Sequence, residues 1–204
     1  MSVNKAYFDA LAAQWDNNPE KWRRASVAAQ RIEQLNLLPH GNLIDYGCGT
    51  GLLGLQLLGA FQHIYLADAS EAMLQVAQAK INQDRIHNAS VCQVEQLADV
   101  PVNASAITML MVLHHILDLE AFFQQAYRKL DTGGAFIVVD LVKEDGSFHQ
   151  DLPDFDGHNG FELEQLSKLA QKTGFKVGFN EAYDEIYKQS CKRSYPLFML
   201  VAYK

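Results

Sequence analysis

The chain has 204 residues, 49% of them hydrophobic, and a formal net charge of −7. This length and apolar content predict a single α/β domain over residues 1–204. The acidic balance excludes a basic surface that would attract nucleic acid, and no apolar run is long enough to span a membrane. No signal peptide is visible, and Cys48, Cys92 and Cys191 form no C-x-x-C pair, so we expect reduced thiols and a cytoplasmic protein.

Two helical patterns precede the first strand and predict an N-terminal helical cap over residues 1–40. Apolar side chains recur every fourth residue, beginning at Val3 and Tyr7. A second helix is predicted after Asn18, a candidate N-cap, with Pro19 at its first position. Helical spacing favours a core position for Trp15 and Trp22.

Residues 43–57 read LIDYGCGTGLLGLQL. A short apolar strand reaches Asp45, passes glycines at every second position and leads into a predicted apolar helix. Such a turn lets backbone amides approach a small ligand at the carboxyl end of a strand. A dinucleotide-binding turn needs a third glycine where Leu52 stands, which weakens a nicotinamide interpretation.

Strands and helices alternate after this glycine loop. Strands are predicted over 64–67, 90–94, 104–113 and 135–142, with helices over 70–81 and 119–130 and a turn at 131–134. Residues 143–160 are polar and aperiodic, which predicts a long loop. A helix over 161–172 and an antiparallel hairpin of strands 175–186 and 195–203 complete the chain. The order predicts a mostly parallel sheet with helices on both faces and one reversed strand.

The run Asp45-x-Gly47-x-Gly49-x-Gly51 resembles motif I of class I S-adenosylmethionine-dependent methyltransferases. The element order is also similar to that family's Rossmann-like fold, a seven-stranded sheet whose last strand is antiparallel. The resemblance implies S-adenosylmethionine as cofactor and methyl transfer to a small-molecule acceptor by in-line displacement. It implies that the glycine loop holds the methionine half of the cofactor, whose charged groups suit a carboxylate and exposed amides.

The resemblance also assigns cofactor-binding positions. The segment YLADASEAML is similar to the family's second motif, whose acidic residue binds both ribose hydroxyls, and Asp68 is that residue here. Gln93 stands where the family commonly has an adenine-reading aspartate, with Val94 to offer a backbone N–H and Glu95 as additional help. The full set of implied cofactor residues is Asp45, Gly47, Cys48, Gly49, Gly51, Asp68, Ala69, Gln93 and Val94.

Candidate catalytic residues are His114, His115, His149 and Tyr7. His114 and His115 close the fourth predicted strand, so alternation predicts that at most one faces the acceptor. A histidine suits removal of a proton from an O–H or N–H acceptor, and the alternative is that both residues only shape the pocket. Tyr7 is the best active-site candidate among the N-terminal aromatic residues, because its hydroxyl needs a partner.

The loop at 143–160 is a candidate lid that also carries His149, His158 and several aspartates, among them Asp151 and Asp154. An EF-hand register fails because Leu152 and Leu163 fall where carboxylates belong, and the remaining spacing is loose, so we expect no metal.

Two other functions remain open, a nicotinamide-dependent oxidoreductase and a non-catalytic protein that binds S-adenosylmethionine. The sequence leaves open the oligomeric state, the acceptor and the atom that is methylated.

Overall fold

The computed structural model describes residues 5–35, 41–152 and 155–204. The helices are α1 (Lys5–Leu11), α2 (Pro19–Gln34), α3 (Glu71–Gln83), α4 (Leu119–Lys129) and α5 (Leu163–Thr173). The strands are β1 (Asn42–Tyr46), β2 (His63–Asp68), β3 (Ala89–Gln93), β4 (Ala104–Leu110), β5 (Leu130–Leu141), β6 (Lys176–Lys188) and β7 (Arg193–Tyr203). Short 3-10 helices cover Ala12–Asn17, Gly54–Leu57, Leu97–Asp99, Leu113–His115 and Ser147–His149. Val3, Asp154 and the end of the predicted cap at 36–40 lie outside the described residues.

The seven strands form a single sheet in the order β3-β2-β1-β4-β5-β7-β6. Strands β1 to β5 pair in parallel, and β7 runs antiparallel to both β5 and β6. This confirms the Rossmann-like sheet and its reversed strand. The chain order changes direction between β1 and β4, and ligands bind at such a switch point in open α/β sheets.

Helices cover both faces of the sheet, as predicted. On one face Phe123 of α4 and Leu166 of α5 pack against the sheet. On the other face Ile32 of α2 and Ala77 of α3 pack against a second apolar layer. Two-sided burial explains why the central strands read as nearly continuous apolar runs.

The predicted N-cap of α2 is confirmed, and α3 begins with a side-chain cap of the same kind. The Asn18 side chain accepts a hydrogen bond from the Glu20 N–H at the start of α2, and the Ser70 hydroxyl accepts one from the Met73 N–H at the start of α3. These caps fix where both helices begin, beside the carboxyl ends of β1 and β2.

The predicted α-helix after the glycine loop is wrong. Turns and a 3-10 helix at Gly54–Leu57 stand there instead. The Gly54 N–H donates to the Asp45 carboxylate, and the Gln56 side chain donates to the Leu52 carbonyl. Side chains thus take backbone partners that a regular helix would need.

Strand β4 ends at Leu110, three residues before the predicted end at 113. Met111 adopts a left-handed backbone with φ of 59°, which turns the chain out of the sheet. His114 and His115 therefore lie in a 3-10 turn, so the strand alternation predicted for them is wrong.

The predicted turn at 131–134 is part of β5, which already begins at Leu130. The Gly133 N–H donates to the Lys204 carbonyl, and the Lys204 N–H donates to the Gly134 carbonyl, so the end of the chain extends this strand pairing. The core position predicted for Trp22 is also wrong. Its side chain is exposed, and its indole N–H donates to the Asp16 carbonyl.

Candidate active site

A cavity of about 490 Å³ opens at the carboxyl ends of β1, β2 and β4, at the switch point of the sheet. This volume lies in the range of small-molecule sites. Backbone of the glycine loop forms one side, and the histidine turn after β4 forms the other. The N-terminal segment and the loop after β5 complete the walls.

The glycine loop is built from left-handed residues. Gly47, Gly49 and Gly51 have φ values of 70°, 54° and 81°. A Cβ at Gly47 would lie 2.5 Å from both methyl carbons of Val112, so only glycine fits there. At Gly49 the nearest atoms to an added Cβ are the Trp15 Nε1 at 3.8 Å and the Met73 Sδ at 3.9 Å, which leaves this backbone open to the cavity.

The Asp45 carboxylate stabilises the glycine loop through hydrogen bonds. One carboxylate oxygen accepts from the Gly54 N–H at 3.0 Å and the other from the Thr108 hydroxyl at 3.0 Å. Burial raises the pKa of Asp45 to about 7. Both oxygens are thus engaged by the protein, although the side chain also lines the cavity.

Asp68 lies at the end of β2 and faces the glycine loop. Its carboxylate accepts from the Gly49 N–H at 2.8 Å and from the Ser70 N–H at 2.9 Å. Burial raises the pKa of this carboxyl, against the lowering effect of these hydrogen bonds. Ala69 and Ser70 follow it along the cavity wall. Each carboxylate oxygen keeps further acceptor capacity for a ligand hydroxyl.

The residues at the end of β3 meet the sequence expectation only in part. Gln93 is exposed and lies outside the set of described residues that line the cavity, whereas Glu95 lines it. The Val94 N–H, predicted to face adenine, donates to the Asp68 carbonyl at 3.0 Å. The strand pairing that positions Asp68 has taken this donor.

A buried histidine-aspartate pair forms the opposite wall. The His114 Nδ1 lies 2.7 Å from one Asp140 oxygen, and the His114 backbone N–H donates to the other at 3.1 Å. Burial opposes the charge of Asp140, but His114 and its hydrogen bonds lower the pKa of this carboxyl overall. Because Asp140 holds Nδ1, Nε2 is the ring nitrogen left for a ligand.

His115 and His149 extend this wall. Their ring centroids lie 4.2 Å and 4.8 Å from that of His114, and all three side chains line the cavity. Burial, with the neighbouring His114, lowers the pKa of both His115 and His149 to about 3. Both rings are therefore neutral near pH 7, and the Phe155 ring stacks on His149 at 3.7 Å.

The N-terminal segment forms an aromatic wall. Tyr7, Phe8 and Trp15 line the cavity, and the Phe8 ring meets the His115 ring edge to face at 5.5 Å. Tyr7 is 45% exposed, so its side chain lies at the rim.

Two hydrogen bonds tie this segment to the glycine loop and to the start of α3. The Ser70 hydroxyl donates to Asp9 at 2.5 Å, and the Thr50 hydroxyl donates to Asp16 at 2.6 Å. Lys80 of α3 pairs with the same Asp16 carboxylate at 2.5 Å. The N-terminal wall is thus attached to the glycine loop and to α3.

The loop after β5 forms the remaining wall with Phe148, His149, Asp151 and Leu152. His158 is not part of this lining. The His158 Nε2 lies 2.9 Å from the Ile116 carbonyl oxygen, and the His158 backbone N–H donates to the His114 carbonyl. These two contacts anchor the loop to the histidine turn.

A family profile described as "methyltransferase domain" matches residues 20–178, well over half of the chain. The chain belongs to this methyltransferase domain family.

Relatives of this methyltransferase family member include an uncharacterised methyltransferase of Schizosaccharomyces pombe, 30% identical over 144 residues, which covers 63% of this chain and 51% of the yeast protein. A demethylmenaquinone methyltransferase of Symbiobacterium thermophilum is 29% identical over 140 residues, 65% of this chain and 51% of the relative. The chain thus spans about half the length of these curated relatives. The crystal structure of a SAM-dependent methyltransferase from Aquifex aeolicus shares the fold with a TM-score of 0.69, at 16% identity and 99% coverage of both chains.

Sequence reasoning missed two cations in the cavity of this methyltransferase fold. Lys21 and Arg24 lie one turn apart on α2 and both line the cavity. Their helix carries no recognisable motif, so only its packing against the site places them there. The amphipathic pattern that predicted α2 identifies its apolar face but says nothing about cations at the edge of that face.

The cysteines and the metal prediction add little to the chemistry. Cys48 lines the cavity, and burial raises the pKa of its thiol, which keeps it protonated. All three cysteines are free.

Over residues 5–35, 41–152 and 155–204, no group of three or more His, Cys, Asp or Glu side chains is arranged to hold a metal. Over the same residues, no helix is long and apolar enough to cross a membrane.

Proposed function

We propose that this chain transfers a methyl group from S-adenosylmethionine to a small-molecule acceptor. The observation that carries the proposal is that the left-handed glycine loop after β1 and the Asp68 carboxylate at the end of β2 line the same cavity and are joined by a hydrogen bond. We also propose that residues 1–204 act as a single domain, with 1–40 as its cap and 143–160 as its substrate loop.

The residues on the glycine side of the cavity fit the cofactor. The open backbone at Gly49 and the adjoining Gly47, Cys48 and Gly51 positions would hold the methionine half, and Asp68 with Ala69 would bind the ribose. When bound, the cofactor supplies a methyl group already activated by its sulfonium. The residues present must align the acceptor and exclude water. Asp45 supports the loop, since its oxygens are bonded to Gly54 and Thr108.

Recognition of adenine requires a revised assignment. Gln93 is exposed and is not among the described residues that line the cavity, and the Val94 N–H is taken, so we assign this contact to Glu95, which lines the cavity after β3. A carboxylate oxygen there can accept from the adenine amino group.

His114 is the residue best placed to remove a proton from an O–H or N–H acceptor. Asp140 fixes its Nδ1, so Nε2 would take the acceptor proton and Asp140 would stabilise the imidazolium that forms. His115 and His149 are neutral and flank this group, so they would shape the acceptor pocket, together with Tyr7 at its rim.

Further support comes from the relatives and from the surface. The relative from Symbiobacterium thermophilum bears the name of a quinone methyltransferase, which favours a small acceptor for this chain. The net charge of −7 favours the same class over nucleic acid. The three free thiols favour the cytoplasm as its compartment.

A nicotinamide oxidoreductase is the second candidate, because Asp68 would also suit the ribose of that cofactor. Leu52 counts against it, since it occupies the position of the third glycine and lines the cavity. A non-catalytic protein with the same cofactor site is the third candidate.

Calorimetric titration with S-adenosylmethionine, S-adenosylhomocysteine and NADH tests the proposal. We expect both sulfur ligands to bind the native chain and Asp68→Ala to weaken them at least tenfold, because a hydrogen bond to a charged group contributes roughly 1.5–3 kcal/mol. Asp84→Ala, at the exposed end of α3, is the matched control and should bind normally. Binding of NADH alone would select the oxidoreductase. Cofactor binding with no S-adenosylhomocysteine formed from any of a broad set of acceptors would favour the non-catalytic protein.

A further inference from the structure

Lys21 and Arg24 place two positive charges on the same face of α2. Residues three apart lie on one side of a helix, and both side chains line the cavity. The Lys21 ammonium lies 3.0 Å from the centre of the Trp15 ring. Two like charges side by side in a partly buried wall are unfavourable without an anion.

The carboxylates near these cations are already engaged elsewhere. Asp16, which faces Lys21, pairs with Lys80 and accepts from Thr50. Asp140 and Asp184, which face Arg24, are bonded to His114 and to Arg23. Within the described residues, the buried Arg24 Nε has no hydrogen-bond partner.

The other charged groups of the cavity do not offset this excess. Asp45 and Asp68 accept hydrogen bonds at the glycine loop, and Asp151 pairs with Lys188. Glu95 follows β3, and three strands separate β3 from β5, which carries Asp140, the carboxylate near Arg24. Burial and the adjacent Arg24 lower the pKa of Lys21 to about 8, and Asp16, which is paired with Lys80, offsets this only in part.

We propose that Arg24 and Lys21 form a carboxylate-binding site in the cavity. The planar guanidinium would pair with the carboxylate directly, and the ammonium would add a second charge from one turn earlier on α2. The carboxylate has two possible sources, the amino-acid end of the cofactor or an acidic group on the acceptor. The inference rests on the proposed function for the identity of these ligands, but not for the presence of the site.

Two matched ligand pairs separate the sources. S-adenosylhomocysteine is compared with S-adenosyl-3-thiopropylamine, which lacks only the carboxylate. Benzoate is compared with its neutral isostere benzamide, both with and without S-adenosylhomocysteine. Each pair is titrated calorimetrically into the native chain, Arg24→Gln, Lys21→Gln and the control Arg31→Gln, which alters an exposed cation of the same helix. Circular dichroism verifies that each variant is folded.

We expect the native chain to prefer the carboxylate in at least one pair by about tenfold or more, and Arg24→Gln to abolish that preference. Lys21→Gln should reduce it partly and Arg31→Gln should leave it intact. If Arg24→Gln loses only the preference for S-adenosylhomocysteine over S-adenosyl-3-thiopropylamine, the site binds the cofactor carboxylate. If it loses only the preference for benzoate over benzamide, the site binds an acidic acceptor. An Arg24→Gln protein that keeps every preference, or a native chain with none, overturns the site. Failure of S-adenosylhomocysteine to bind, with benzoate still bound through Arg24, would refute the proposed function alone.

Discussion

At the scale of single residues, the histidine wall shows how burial sets chemistry. His149 is held neutral between the Phe155 ring and the His114 ring, and its pKa is lowered to about 3. A histidine whose folded pKa lies below its unfolded value contributes stability that is complete above about pH 6.5 and is lost as pH falls below it.

This linkage predicts a pH-dependent difference between the native chain and His149→Gln. Between pH 7.5 and pH 5, the free energy of unfolding of the native chain should fall by about 1–2 kcal/mol relative to the variant, since only the native chain carries this partly buried histidine. Urea unfolding at both pH values measures it. His87→Gln, at an exposed position, is the control. Its free energy of unfolding should differ from that of the native chain by the same amount at both pH values. The same difference in unfolding free energy at both pH values for His149→Gln would contradict a partly buried ring that stays neutral in the folded protein.

Gly47 provides a second residue-scale prediction. Gly47→Ala should destabilise the chain by roughly 2–5 kcal/mol, because the new Cβ meets both Val112 methyl carbons and the backbone is left-handed. In the double variant with Val112→Ala, the stability lost to the steric contact should be recovered, whereas the stability lost to the left-handed backbone of an alanine should not. Thermal unfolding of the single and double variants checks this, and purely additive losses would rule out the contact.

Individual residues were predictable where a motif fixed them. The glycines were predicted from their spacing, and Asp68 from the resemblance of its segment to the family's second motif. The pairing of Asp140 with His114 could not be predicted, since it joins residues 26 apart in the sequence. Lys21 and Arg24 could not be predicted, because nothing local distinguishes a cavity cation from a solvated one.

At the scale of elements, the N-terminal segment depends on a small polar junction. Asp16 accepts from Thr50 of the glycine loop and pairs with Lys80 of α3, with both charged side chains less than a quarter exposed. Partial burial makes this pair stronger than a surface ion pair.

Asp16→Ala should therefore loosen the N-terminal wall without unfolding the sheet. We expect hydrogen exchange over residues 5–17 to accelerate about tenfold or more, while β4 keeps its protection. Glu20→Ala, which removes an exposed pair with Arg23, is the control and should leave both segments unchanged. Equal acceleration in α1 and β4 would instead indicate global destabilisation.

Element types were predicted better than element ends. Periodicity identified all seven strands, whereas the end of β4 and the helix after the glycine loop were wrong. Both errors arise where a side chain or a left-handed residue competes with regular backbone pairing, at Gly54 and at Met111. Met111 and Leu53, the neighbour of Gly54, line the cavity, and functional sites are where local rules are most often overridden.

At the scale of the whole molecule, two segments distant in sequence close one cavity. The N-terminal wall and the loop after β5 meet at the histidine turn, where Phe8 contacts His115 and the His158 N–H donates to the His114 carbonyl. A ligand that fills the cavity should restrain both segments together.

Saturation with S-adenosylhomocysteine and benzoate should slow hydrogen exchange in residues 5–17 and 143–152 by severalfold, with little change in the β6–β7 hairpin. Mass-spectrometric exchange with and without the ligands makes the comparison. Slowing of the N-terminal wall alone would show that the loop after β5 is not a lid.

The family match begins at residue 20, yet Phe8 and Trp15 of the cavity wall precede it. Part of the cavity wall is thus encoded outside the shared sequence, on a segment joined to the glycine loop and to α3 by few polar contacts. Such a segment can change in sequence while the strands of the sheet keep their pairing. Exchange of residues 5–17 between family members should therefore transfer acceptor preference while cofactor use is inherited unchanged.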